Sequence, residues 1–120
     1  MKKTILICDD DEGILEVVKI VLEEKGYNVI PLSDPEKVHV TVKKVHPDLI
    51  LLDLWMPILN GDTITKMIKE DKEIKHIPVI IISANKDTAT IAGQIGANNF
   101  LPKPFNIDEL EQIVEKCLTS

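Results

Sequence analysis

The chain has 120 residues, with 14 basic and 20 acidic side chains, a formal net charge of −6, and 44% hydrophobic residues. A chain of this length and apolar content is expected to fold as a single domain over residues 1–120, which excludes a disordered or disulfide-stapled chain. The clustered Lys and Arg that nucleic-acid binders use to neutralise phosphates are missing, so no direct nucleic-acid binding is expected.

The first half of the chain is predicted to alternate between strands and helices. Residues 5–8 form a short continuous apolar run, which is typical of a strand buried on both faces. The helix that follows carries an apolar stripe at helical spacing, and Gly26 fits its C-terminal cap. The residues of this stripe are Ile14, Val17, Val18, Val21 and Leu22.

A second strand is predicted over Asn28–Leu32 and a third, more apolar one over Leu49–Asp53. Between them, Asp34 and Pro35 predict the start of a helix, because proline is favoured at the first helical position. This helix is predicted to end at His46, since the residue before a proline is disfavoured in the α region.

The second half continues the alternation. Asn60-Gly61 predicts a turn before a third helix, whose apolar residues are Ile64, Met67 and Ile68. A fourth strand is predicted over residues 79–82, a fourth helix ending at Gly96, and a fifth strand at residues 100–101. The fifth helix begins at Asn106, and Glu109 stands at capping-box spacing from it. Its inward residues are Leu110, Ile113, Val114 and Cys117.

Five strand–helix units in succession predict an α/β, doubly wound, five-stranded parallel sheet with helices on both faces. In such sheets ligands gather beyond the carboxyl ends of the strands. The side chains at those ends are therefore the first candidates for a functional site.

Five polar side chains follow four of the predicted strands: Asp9, Asp10, Asp53, Ser83 and Lys103. Carboxylates packed closely raise one another's pKa unless a cation lies between them, and Mg²⁺ prefers carboxylate, water and phosphate oxygens. With Mg²⁺ on one side and the hydroxyl and ammonium on the other, a phosphoryl group could be held for in-line attack. Asp53 is the candidate nucleophile.

Asp11 and the two cysteines are interpreted as structural residues. Asp11 is interpreted as a charge at a helix start rather than a ligand, and Cys8 and Cys117 as core thiols. No apolar run is long enough for a membrane span, and residues 9–11 end the first apolar run too early for a signal peptide. We therefore expect a cytoplasmic chain that does not bind membranes.

These motifs, in this order, resemble the response regulator receiver domain of two-component signalling from Thr4 to Leu118. They are Ile-Cys-Asp-Asp at residues 7–10, Leu-Asp-Leu-Trp-Met-Pro at 52–57 with Asn60-Gly61, Ser83-Ala84, and Lys-Pro-Phe at 103–105. The resemblance implies the flavodoxin-like receiver fold, with strand order 2-1-3-4-5 and five helices.

The resemblance also implies a magnesium-dependent phosphorylation site. Asp53 would be the phosphorylated side chain and Asp10 a direct Mg²⁺ ligand. Asp9 would bind the ion through water, and Trp55 through its main-chain carbonyl. At its position, the bulk of the Trp55 side chain is expected to limit the approach of water to the acyl phosphate and so slow its decay.

Ser83 and Lys103 would contact the phosphoryl oxygens, and the peptide bond between Lys103 and Pro104 is expected to be cis. Ser83 and Phe100 would form the moving pair of the switch. The family often has Tyr where Phe100 stands, so the output here is expected to be a change of shape rather than a hydrogen bond. The alternative is that Phe100 is a fixed core ring.

We therefore expect a single-domain response regulator that takes a phosphoryl group from a histidine kinase or phosphotransfer protein and signals to a downstream protein. Met1 favours a stand-alone receiver over one taken from a longer chain. Such a protein is not an enzyme beyond catalysing its own phosphorylation and dephosphorylation. One alternative is a receiver-like binding module that is never phosphorylated.

Two further alternatives are a phosphatase and a flavin-binding protein. A haloacid-dehalogenase-like phosphatase would use the Asp-x-Asp pattern of Asp9 and Asp11, but it needs a later acidic pair that does not follow Lys103. A flavin-binding protein would need a phosphate-cradling loop where the acidic residues 9–11 stand.

Overall fold

The computed structural model describes residues 2–84 and 87–119, and over them five strands alternate with five helices. The strands are β1 (Thr4–Cys8), β2 (Asn28–Leu32), β3 (Leu49–Asp53), β4 (Val79–Ser83) and β5 (Asn99–Pro102). The helices are α1 (Glu12–Glu24), α2 (Val38–Val45), α3 (Gly61–Glu70), α4 (Thr88–Ile95) and α5 (Ile107–Thr119). All strand pairs are parallel, in the order β2-β1-β3-β4-β5, which confirms the predicted fold.

Each face of the sheet packs against its own group of helices. Alternate residues of β1, β3 and β4 point to opposite faces, so that one core contains α1 and α5 and the other contains α2, α3 and α4. Every residue of β3 and β4 is buried. Burial on both faces explains why the strands are continuous apolar runs rather than alternating ones.

The apolar stripe predicted for α1 is rotated in the structure. Leu15, which the prediction omitted, is buried, whereas Val17 is 55% exposed. The arc of apolar side chains on α1 is wider than the face that the sheet covers, so one edge of it stays at the surface. On α3, Ile64 and Ile68 of the predicted apolar residues are buried, whereas Met67 is 39% exposed.

The second helix begins later than predicted. Asp34 accepts a hydrogen bond from the Glu36 N–H (3.0 Å) and caps a short 3₁₀ turn over Pro35–Lys37, after which α2 begins at Val38. The helix ends at His46, as predicted, but His46 adopts the left-handed conformation (φ 52°). The residue before Pro47 therefore leaves the right-handed α region without becoming extended.

The start of α5 matches the predicted capping box. The Asn106 N–H donates to Glu109 Oε1 (3.2 Å), and the Glu109 N–H donates to Asn106 Oδ1 (2.8 Å). This reciprocal pair fixes the path of the chain just after Lys103 and Pro104. None of the described helices combines the length and apolar character needed to cross a lipid bilayer.

The two cysteines differ in environment. Cys8 is fully buried, its Sγ lies 3.6 Å from Met56 Sδ, and burial together with Asp9 raises its pKa to about 12. Cys117 packs against the core formed with α1 and α5, as predicted for an inward residue of α5, but it is only partly buried. Both thiols are free.

Candidate functional site

The strand order brings three carboxylates together at one edge of the sheet. β1 and β3 are neighbours, so Asp9 and Asp10, which follow β1, lie beside Asp53, the last residue of β3. One carboxylate oxygen from each of the three lies within 4.8 Å of the others. Asp9 is fully buried, Asp53 is 6% exposed, and Asp10 is exposed to solvent. Oxygen atoms at this spacing suit a small hard cation such as Mg²⁺.

Lys103 places its ammonium between two of these carboxylates. Its Nζ lies 3.2 Å from Asp9 Oδ2 and 3.6 Å from Asp53 Oδ2. The main chain of Lys103 is fixed by a hydrogen bond from its N–H to the Ser83 carbonyl (2.9 Å), and the following bond to Pro104 is cis. The cis isomer agrees with the expectation from the sequence.

The site carries more negative charge than this ammonium balances. Burial is the main reason why the pKa of Asp53 is raised to about 6; the charges of Asp9 and Asp10 contribute to the rise, while Lys103 and a main-chain hydrogen bond from Trp55 oppose it. Among the residues that the structure describes, three carboxylates face one ammonium here, so a divalent cation would offset the excess charge. The oxygen-only donor set and the charge excess both fit Mg²⁺.

Asp11 lies next to this cluster but has a different role. Its Oδ1 accepts hydrogen bonds from the N–H groups of Gly13 (2.9 Å) and Ile14 (3.3 Å), so it caps the first turn of α1. Its own N–H donates to Asp9 Oδ1 (2.9 Å). The interpretation of Asp11 as a residue of the helix start is confirmed, and the contact orients Asp9.

The loop between β3 and α3 is built around Gly61, a role that the sequence prediction missed. The Gly61 N–H donates to the Leu54 carbonyl (2.9 Å), and a Cβ at Gly61 would overlap the main-chain oxygen of Asp53. Asn60 Oδ1 accepts a hydrogen bond from the Met56 N–H (3.3 Å). Asn60-Gly61 is therefore the join between loop and helix, where only glycine lets α3 approach Asp53 this closely.

Two apolar side chains in the same loop face solvent. Trp55 is 53% exposed and Ile58 is 85% exposed. Ile58 also has a positive φ of 74°, and the Leu59 N–H donates to the Pro57 carbonyl (2.8 Å), which makes this a strained γ-turn. The predicted metal contact of the Trp55 carbonyl stays a prediction.

Ser83 and Phe100 lie on adjacent strands. Ser83 ends β4, is almost fully buried, and belongs to the strand that pairs with β3. Phe100 on β5 stands opposite Ile81 and is partly buried against the core formed with α2, α3 and α4. Phe100 is thus neither a fully enclosed core ring nor a solvent-exposed one.

A cavity of about 700 Å³ opens beside the carboxylate cluster, between α1 and the loop that follows β5. Its lining includes Val17, an apolar residue that α1 leaves exposed, together with Phe105 and Lys103. Because Lys103 also contacts Asp53, a molecule seated in this cavity would lie next to the carboxylates.

Comparisons with known proteins agree with this geometry. The response regulator receiver domain family matches residues 5–115. The chain is 39% identical over 108 residues to the response regulator GtcR of Aneurinibacillus migulanus, which covers 88% of this chain and 43% of that relative. The chain spans about half the length of the curated relatives it matches.

Solved structures show the same architecture. A putative response regulator from Chloroflexus aurantiacus has a TM-score of 0.95 at 28% identity, with all of both chains covered. The receiver domain of the sensor histidine kinase PA1611 from Pseudomonas aeruginosa has a TM-score of 0.91 at 27% identity, also over all of both chains. That structure has a magnesium ion coordinated in its active-site cleft.

Proposed function

The chain belongs to the response regulator receiver domain family, and from this membership we propose that Asp53 is its phosphoacceptor. Receiver domains are signalling phosphoacceptors rather than metabolic enzymes. The observation that carries the assignment is the position of Asp53, which ends the central strand β3 among Asp9, Asp10 and Lys103. The non-phosphorylated binding module and the phosphatase are not favoured by the family match.

The proposed reaction is phosphoryl transfer from a phosphohistidine. An Asp53 carboxylate oxygen attacks the phosphorus in line, a P–O bond forms as the P–N bond breaks, and the donor imidazole leaves with that electron pair. Asp53 must be ionised to attack, which its pKa of about 6 allows at neutral pH. Lys103 and Ser83 then donate hydrogen bonds to the phosphoryl oxygens.

We assign Mg²⁺ as the cofactor. Asp10 and Asp53 would bind it directly, Asp9 through water, and Trp55 through its main-chain carbonyl. When bound, Mg²⁺ supplies positive charge that offsets both the carboxylates and the phosphoryl oxygens. The protein's own share is to hold these oxygens in place, which the Asp11 N–H does for Asp9 (2.9 Å).

The phosphodonor would be a histidine kinase or phosphotransfer protein, and the cavity lined by Val17 and Phe105 supports its approach. Apolar surface beside the nucleophile lets the donor protein bury contact area while its histidine reaches Asp53. We further propose that the chain catalyses its own phosphorylation and the hydrolysis of its acyl phosphate. It would be located in the cytoplasm and signal to a downstream protein. The half-exposed Trp55 ring would slow hydrolysis of the acyl phosphate by limiting the access of water.

The signal would leave through β5 and the helices beside it. A phosphoryl group on Asp53 offers Ser83 a charge-assisted hydrogen bond, which is worth roughly 1.5–3 kcal/mol. If Ser83 moves toward the phosphoryl group, Phe100 gains space to rotate into the core. Phe100 has no hydroxyl, so the change would be one of shape and of exposed apolar area.

Intact-mass spectrometry after incubation with a small phosphodonor and Mg²⁺ tests the assignment. The wild-type chain should gain one phosphoryl group, and Asp53→Asn should gain none because the amide is not a nucleophile. Loss of the gain in Asp9→Asn but not in Asp53→Asn would favour the phosphatase instead.

A further inference from the structure

Helix α3 reaches from the phosphoacceptor to the opposite edge of the sheet. Its first residue, Gly61, lies against the main chain of Asp53. With ten residues, α3 is about 15 Å long. Its last turn therefore lies beside the segments that lead into β4 and β5, far from the carboxylates.

Lys69, in that last turn, joins three segments of the chain. Its Nζ donates hydrogen bonds to the carbonyls of Ile77 (2.9 Å) and Lys75 (3.2 Å) and to Asn98 Oδ1 (2.9 Å). All three acceptors are neutral oxygens, and burial lowers the pKa of the ammonium. Side chains held by three fixed acceptors lose most of their freedom, so this contact is a rigid one.

Asn98 in turn fixes the start of β5. Its N–H donates to the Val79 carbonyl, and the Val79 N–H donates to Asn98 Oδ1, both at 2.9 Å. β5 is a four-residue edge strand that pairs only with β4 among the described strands. The oxygen that Lys69 contacts is therefore the same one that closes the β4–β5 pairing.

We propose that Lys69 is a positioning residue that couples phosphorylation of Asp53 to β5, through α3 and Asn98. This inference rests on the proposed function. A phosphoryl group on Asp53 adds charge and volume at the end of β3. Because Gly61 packs directly against the main chain of Asp53 and Leu54, a shift of that main chain displaces the start of α3. A helix transmits such a displacement along its axis, and Lys69 passes it to Asn98, two residues before Phe100.

Amide NMR tests the coupling. Spectra of the wild type, Lys69→Met, Lys69→Arg and the control Lys66→Met are compared with and without Mg²⁺ and beryllium fluoride, a phosphoryl mimic. Lys66 is exposed one turn earlier on α3, so its variant loses the same charge without the contact. Intact-mass measurements with a small phosphodonor report the reaction at Asp53 for each variant.

In Lys69→Met we expect the shift changes over residues 99–102 to fall at least about twofold, while phosphorylation stays close to that of the wild type. Lys69→Arg, which keeps a charged donor, should restore them, and Lys66→Met should leave them unchanged. A full response at residues 99–102 in Lys69→Met would overturn the coupling. The coupling would also be overturned if Lys69→Arg did not restore the shift changes at residues 99–102. The same holds if Lys69→Met reduced the shift changes around Asp53 by as much as those at residues 99–102. A wild-type chain that gains no phosphoryl group would instead overturn the proposed function.

Discussion

The carboxyl group of Asp53 has a raised pKa for identifiable reasons. Burial makes the largest contribution, the charge of Asp9 adds to it, and Lys103 offsets part of the rise. The ordinary pKa of 3.8 applies to the unfolded chain and about 6 to the folded one. The folded protein therefore binds a proton more tightly than the unfolded chain, and ionising Asp53 at neutral pH destabilises the fold.

The first prediction concerns Asp53→Asn and pH. Below about pH 4, Asp53 is largely protonated in both the folded and the unfolded state, so it does not lower the free energy of unfolding. As pH rises toward 6, the unfolded chain ionises first and the wild type loses stability; above about 6 the cost is constant. Asp53→Asn avoids this cost, so without metal it should be more stable near pH 7.5 by up to about 3 kcal/mol. Urea unfolding at several pH values measures this gain.

In that experiment Glu24→Gln serves as the control, because Glu24 is an exposed carboxylate on α1. Its stability relative to the wild type should change little over the same pH range. If the stability gain of Asp53→Asn grew as pH falls, its pH dependence would be opposite to the expected one. That result would contradict the raised pKa of Asp53.

The second prediction separates two adjacent aspartates. Asp10→Asn should weaken Mg²⁺ binding strongly, because Asp10 belongs to the carboxylate cluster. Asp11→Asn should bind nearly as well as the wild type, because asparagine also caps helices and Asp11 serves that role. Trp55 is the single tryptophan of the chain, so its fluorescence reports the titration. Equal losses in both variants would refute the ligand assignment.

The residues at the strand ends could be predicted because a parallel sheet fixes where its carboxyl ends lie. Asp9, Asp53 and Lys103 follow from that rule alone. The mutual effect of close carboxylates on their pKa values was expected, but the larger contribution of burial to the pKa of Asp53 could not be predicted, because it depends on how deeply the side chain lies in the fold. The hydrogen bonds of Lys69 were missed for the same reason, since their acceptors lie on the loops before β4 and β5, whose positions depend on the folded structure.

Among the elements, the join between β3 and α3 tolerates the least change. The third prediction is that Gly61→Ala destabilises the fold by about 1–3 kcal/mol and slows phosphorylation of Asp53. The added Cβ meets main-chain atoms of Asp53 and Leu54, which cannot turn aside as a side chain would. Thermal unfolding and the rate of mass gain measure the two effects.

Gly93→Ala is the matched control, because a Cβ at Gly93 on α4 meets nothing within 4 Å. Alanine is favoured over glycine inside a helix, so this variant should gain about 0.5–1 kcal/mol. If Gly61→Ala behaved as Gly93→Ala does, the close approach of α3 to Asp53 would have no consequence.

Element positions were easier to predict than the faces that the elements bury. The strands lie where the apolar runs predicted, because burial on both faces leaves little choice of residue type. Helix faces are ambiguous wherever apolar residues cover more than one side. On α1 the sequence could not distinguish Leu15 from Val17, since only packing against the sheet decides between them.

At the scale of the whole molecule, the proposed switch connects the carboxylate cluster to a distant surface. The fourth prediction is that Mg²⁺ and beryllium fluoride change the ring signals of Phe100 and the amide shifts of α4, because Ser83 moves toward the mimic. NMR spectra with and without the mimic test this. Residues of β2, at the far edge of the sheet, should stay unchanged. Changes confined to the neighbours of Asp53 would refute the switch.

The unequal burial of the two cysteines gives the native chain a selective chemical handle. Cys8 has no solvent-exposed surface and a pKa of about 12, so alkylating reagents cannot reach its thiolate in the folded state. Cys117 is partly exposed on α5; burial raises the pKa of its thiol, and the nearby side chain of Asn99, the first residue of β5, offsets part of that rise. A fluorophore or spin label coupled to the unmodified protein would therefore attach at Cys117, beside the strand that contains Phe100.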